Sequence, residues 1–236
     1  MIPSQRTNSG QSGQAAVEAA LTLPLVVFLV LGTLQLFMML QGRIMAEYAA
    51  FRATRAASVR HGDCTAMTHA AILALLPNIN SFLGRGYSGT PGEKLGEAFA
   101  LRRDNRYVPG TQGHQDGNHS GPIVWIIRDG DRFQGREDSN FDEPRTTVMR
   151  QETRLVYWFA LRIPFADWVI SRMVLAHWGL KTYNAQNPLM LTQKANWREI
   201  EDPGLEDAIY RELLGRANSG EYVIPIHASA SLRMMT

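Results

Sequence analysis

The chain has 236 residues, 45% hydrophobic and 19% charged, with a formal net charge of +2 and a single cysteine. So balanced a charge gives no reason to invoke nucleic acid, and isolated clusters such as Arg102-Arg103 read as solvated surface. A lone cysteine, Cys64, either stays buried or bridges to another molecule.

The first thirteen residues form a short polar leader with one charged side chain, Arg6. Gly13 is followed by Gln14-Ala15-Ala16-Val17-Glu18 and then by a run, Ala19 to Leu40, that holds no Asp, Glu, Lys, Arg or His. As a helix that run is about 33 Å long, enough to cross a hydrocarbon core of roughly 30 Å. Buried helices of soluble proteins rarely go uncharged all round for that length, so one transmembrane span is expected over 19–40. A secretory signal would have a shorter apolar stretch and a small-x-small cleavage site, so the helix is expected to be retained. Glu18 heads this run. A carboxylate near lipid costs free energy unless partnered, which makes it a functional candidate; the other reading places it at the headgroup boundary, favoured by the helix dipole. Pro24 either permits a kink that neighbouring helices re-satisfy or is simply tolerated.

Arg6 stands before the span, and Arg43, Arg52, Arg55 and Arg60 after it. The positive-inside rule alone would put the C-side in the cytoplasm. A domain of this size can translocate regardless of flanking charge, and the leader motif before the span requires an N-terminus on the cytoplasmic side, so the opposite orientation is expected. The helix is expected to continue to about Arg60. Ala46, Ala50, Ala53 and Ala57 line one face, either to pack other helices or the protein's own domain, or as a generic alanine-rich surface.

Residues 62–236 suffice for one domain with its own core. A helix from Cys64 is expected to stop at Pro77. A Gly-rich loop is expected over 84–121, too long for an ordinary connection. Strands are expected at 123–127, across 146–163 and from Tyr222 to Met234, the last with period-two alternation and Pro225 marking an edge or bulge. Phe165, Trp168, Val169, Met173, Ala176 and Leu180 form the apolar face of a helix after Pro164, and a second helix runs from Leu205 to Ala217. The fold class is α+β, a small antiparallel sheet with helices packed on one face.

The search for catalytic chemistry is negative. His114 and His119 flank Asp116 and Asn118, but their spacing fits no metal loop. His61, Asp63 and Cys64 cluster without an orienting third group or oxyanion donor. No G-x-S-x-G, Walker loop, H-E-x-x-H or paired C-x-x-C occurs, so no enzyme activity, metal or cofactor is expected. Trp125, Trp158 and Trp168 could line a carbohydrate surface, but their apolar neighbours favour core packing.

Gly13-Gln-Ala-Ala-Val-Glu18 resembles the processing site of type IV prepilins. The longer stretch to Pro24, with Tyr48-Ala-Ala-Phe-Arg-Ala-Thr-Arg-Ala-Ala beyond it, is similar to the start of TadE-like proteins, pseudopilins of tight-adherence (Tad) pilus systems. Leu161-Arg-Ile-Pro-Phe165 and Ile224-Pro-Ile-His-Ala228 weakly echo an apolar strand and I-P-F-like turn of that family; Ala19 departs from the aromatic that many relatives carry. The resemblance implies cleavage after Gly13 by a prepilin peptidase, leaving Gln14 as the new N-terminus. Its free amine would meet Glu18 of a neighbouring subunit, the two charges offsetting each other's desolvation. It further implies a minor pilin or pseudopilin that helps initiate, cap or assemble the fibre. The implied partners are other pilins and pseudopilins, the inner-membrane assembly platform and the lipid bilayer. The implied layout is a leader over 1–13, a helix over 14–61 with a cytoplasmic N-terminus, and a periplasmic domain over 62–236, possibly carried into the extracellular pilus. A signal-anchored periplasmic enzyme or ligand-binding domain is the alternative, distinguished by a full-length chain.

Overall fold

The computed structural model describes residues 11–79, 89–110, 117–129, 150–186 and 203–233. Its first element, α1 (Gln11–Val59), has 49 residues and passes through Pro24 without a break; at 1.5 Å per residue it is about 74 Å long. The helix ends in a left-handed turn, with His61 at φ 50° and Gly62 at φ 75°, where Gly62 N–H donates to Ala57 C=O at 2.8 Å. Asp63 Oδ1 then accepts from Thr65 N–H at 3.0 Å and opens α2 (Cys64–Ile79), which runs back along α1. Pro77 lies inside the last turn of α2 and does not stop it at that point.

The stretch 84–121 is not loop throughout. It contains α3 (Pro91–Arg102), and the reason is local: Thr90 Oγ1 accepts from Glu93 N–H while Glu93 Oε2 accepts from Thr90 N–H, a reciprocal cap with Pro91 behind it. The cap holds the Glu93 carboxyl below its usual pKa, chiefly through the Thr90 backbone bond.

Three antiparallel strands follow, β1 (Val124–Asp129), β2 (Arg150–Ala160) and β3 (Val223–Arg233), in the order β1-β2-β3. Between β2 and β3 lie α4 (Ala166–Gln186) and α5 (Pro203–Asn218). The register pairs Tyr157 with Ile226 and Phe159 with Ile224, and sets Pro225 opposite Trp158 on an edge strand. Helices cover both faces of the sheet, not one. Leu155 to Ala160 are all buried, and a strand apolar at both alternations needs cover on both sides. One face meets α1 and α2; Asn78 Nδ2 there donates to Tyr157 Oη at 2.9 Å. On the other, the Arg216 guanidinium of α5 lies 4.9 Å over the Trp158 ring.

The core therefore includes the second half of α1. Gln35, Gly42, Ala46, Ala49, Ala50, Ala53, Thr54, Ala57 and Ser58 are buried along one face. A Cβ at Gly42 would lie 2.7 Å from Phe159 Cδ2 and 3.3 Å from Ile226 Cδ1, so the glycine lets the helix backbone touch the sheet. The alanine spacing repeats the same device, with small residues at each near approach.

Candidate assembly surface on the N-terminal helix

Before Gln35 the picture reverses. From Gly13 to Leu34 no residue of α1 is buried; Leu21, Leu23 and Leu25 stand 73%, 66% and 67% exposed. An apolar cylinder some twenty residues long, open on all sides, has no stable place in water. The one apolar helix long enough to cross a membrane among the described residues is this one, and its first half is free to do so. One long apolar helix near the N-terminus is consistent with single-pass membrane anchoring.

Glu18 is exposed on that cylinder, with Oε1 accepting from Gln14 Nε2 at 3.0 Å. Gln14 and Glu18 thus share one helix face, one turn apart. Thr22 Oγ1 donates to Glu18 C=O at 2.8 Å, and Thr33 makes similar bonds to Leu29 and Val30. These hydroxyls are satisfied by their own helix and ask nothing of a neighbour. Pro24 is exposed within the same continuous helix. A Cβ at Gly13 would meet nothing within 4 Å. Nothing in the tertiary structure asks for glycine there, although glycine inside a helix costs roughly 1 kcal/mol relative to alanine.

Residues 13–55 match a family model described as TadE-like protein. Over this stretch the N-terminal helix is similar to TadE-like proteins. No curated protein and no solved structure matches the chain. The match begins at Gly13 and spans the exposed apolar cylinder and the alanine face as far as Ala53. TadE-like proteins are pilus components, and the likeness of this chain to them rests on residues 13–55 alone.

The remaining candidates fall elsewhere. Ala46, Ala50, Ala53 and Ala57 are fully buried within the molecule. Asp63 is engaged at the start of α2, and the Cys64 thiol is free and exposed. His119 is nearly buried with Nε2 3.1 Å from Tyr222 C=O; His114 and Asp116 lie outside the described residues. No group of metal-ligating side chains forms among the described residues. Trp158 is buried and Trp125 packs edge-on against it at 4.9 Å, but Trp168 is 47% exposed, away from the core.

One feature escaped the reading of residues alone. A cavity of about 400 Å³ opens between α4, α5 and the edge of β3, with Arg43, Arg154, Trp178, Glu206 and His227 in its wall. His227 is solvent-exposed at the cavity mouth, and partial desolvation by the surrounding wall, then the Arg43 guanidinium, lower its pKa from 6.5 against a smaller upward pull from Glu206. Arg154 and Glu206 have further contacts of their own and are not charges held open for a ligand. The signal was Arg43, one turn past the apolar run, whose distance in sequence from His227 hid their proximity.

Proposed function

We propose that this chain is a minor pilin or pseudopilin of a tight-adherence pilus, cut after Gly13 by a prepilin peptidase and helping to initiate, cap or assemble the fibre. The observation that carries this reading is a glycine no packing requires, placed five residues before a lone acid on an uncovered apolar helix. Cleavage would leave Gln14 as the N-terminal residue, and its ammonium would pair with Glu18 of an adjacent subunit. Such a pair sets axial register more than it adds stability, since each charge mainly offsets the other's desolvation. The N-terminus would face the cytoplasm, and the domain the periplasm. Its other partners would be the assembly platform and further pilins.

Intact mass of the membrane-extracted protein tests the reading. Loss of residues 1–13 supports it, and a fully functional protein that keeps Met1 refutes it. Gly13→Leu should block that loss while leaving the domain folded, because a side chain there meets empty space. Glu18→Val should be processed normally yet be excluded from pili; normal incorporation would remove Glu18 from the mechanism.

A further inference from the structure

The apolar stripe of α4 faces away from the core. Ala166 and Ser171 are buried and Ile170, Val174, Leu175 and Trp178 pack inward, whereas Phe165, Trp168 and Met173 stand 57%, 47% and 66% exposed. Trp168 and Met173 stand on the side of α4 that the core does not use, and Phe165 immediately precedes its first residue. The unused face starts beside the membrane helix: the Phe165 ring packs edge-on against Phe28 with centroids 5.6 Å apart.

The chain that carries Phe165 is fixed at this height. Gln35 Oε1 accepts from Arg162 N–H and Ile163 N–H at 3.3 and 3.0 Å, Leu161 N–H donates to Tyr222 C=O at 2.9 Å, and the Arg162 guanidinium donates to Ile79 C=O. Phe165 itself sits at φ 72°, in the left-handed region that a bulky residue enters only when held there. Glycine would occupy this turn without strain, yet an exposed aromatic stands in it.

We infer that this base of the domain, Phe165 and Trp168 with the first turns of α4, is a second membrane contact that dips into the outer interfacial layer of the bilayer. The inference rests on α1 being the membrane anchor. The stretch from Gln14 to Leu34, in which the domain buries no residue, is about 31 Å long and matches a hydrocarbon core of roughly 30 Å; it lies about five residues nearer the N-terminus than the span 19–40 read from sequence, because the domain covers one face of α1 from Gln35 on. The outer boundary then falls at the level of Gln35. Phe28, seven residues deeper, lies about 10 Å below that boundary, the depth at which interfacial aromatic faces reside.

α4 climbs beside α1, since Phe165 meets Phe28 while Trp178 shares a cavity wall with Arg43. Arg172, four residues after Trp168, therefore stands about 6 Å above it, close to the boundary. Arg162, bound at the Gln35 level, is there too. Exposed aromatics below and arginines at the rim match the belt of an interfacial segment, whose apolar bodies enter lipid and whose cations stay with headgroups.

The test uses the full chain in nanodiscs of phosphatidylethanolamine and phosphatidylglycerol. In a Cys64→Ala background, nitroxides are placed singly by Val26→Cys, Phe165→Cys, Trp168→Cys and Ser231→Cys. Labels at 26, 165 and 168 should be relaxed by oxygen and shielded from a water-soluble nickel complex, with 231 the reverse. A lipid-buried label at 26 with aqueous labels at 165 and 168 overturns the inference and leaves the anchor intact; an aqueous label at 26 overturns both. Brominated lipids give a second readout without a new cysteine: they should quench native fluorescence, and Trp168→Tyr should lose most of that quenching. Undiminished quenching in that variant also overturns the inference.

Discussion

At Gly42 the backbone of α1 comes so close to Phe159 that a side chain has no room, whereas at Gly13 one has nothing to touch. The two glycines look alike in sequence and do opposite things. Because Phe159 is only 2% exposed, its ring cannot swing aside. Gly42→Val should therefore destabilise the domain by about 1–3 kcal/mol through overpacking, outweighing any gain in helix propensity; thermal unfolding in detergent measures this. His227 makes a second prediction at this scale. Its pKa is lowered by partial desolvation in the cavity wall and by Arg43, though the ring is exposed, so below about 6.5 the unfolded chain binds the proton slightly more readily than the folded one. Stability should then fall as pH drops through 6.5 and level off below the folded value. His227→Gln should flatten that slope in melting temperatures recorded between pH 7.5 and pH 5, with Arg43, Arg154 and Glu206 left in place around the cavity.

Among the elements, α1 has the most divided role. One continuous helix has no buried residue between Gly13 and Gln35, where only Phe28, Leu31 and Gly32 are partly covered, and is half-buried after it. Gln35 marks the change, and its carbonyl accepts two backbone N–H groups from the turn before α4. Gln35→Leu removes that acceptor and should cost about 1–3 kcal/mol for the polar groups left unpaired. The loss should appear as earlier proteolysis near Arg162 than in the unsubstituted protein. The α4 stripe teaches a related lesson. Of the face read from sequence, Phe165, Trp168, Met173 and Ala176 are exposed and Val169 is half-buried, while the Leu180 side chain lies outside the described residues; periodicity carries no sign of which side the core lies on. Likewise α3 was hidden by glycines around it, although Thr90-Pro-Gly-Glu93 is a legible cap.

For the whole molecule, the boundary between anchor and domain is not at the end of α1. Ala46, Ala49, Ala50, Ala53 and Ala57 belong to the same core as Leu155 to Leu161. A chain beginning at Leu34 should fold as a water-soluble domain, since little before that residue touches the core. One beginning at Gly62 should fail to fold, having lost a wall of its interior. Circular dichroism and a cooperative melt distinguish the two, and a stably folded 62–236 fragment would contradict this assignment.

The residues alone determined the membrane-length helix, the glycine–glutamate spacing at its head, the three strands and the α+β class. Each of those signals is local: a run without charge, a fixed offset, a period of two. Three things required the tertiary structure: that α1 is core for half its length, that helices cover both sheet faces, and that the α4 stripe turns outward beside Phe28. Which of two apolar surfaces is buried depends on what the chain brings against it from far away, and no local pattern encodes that choice.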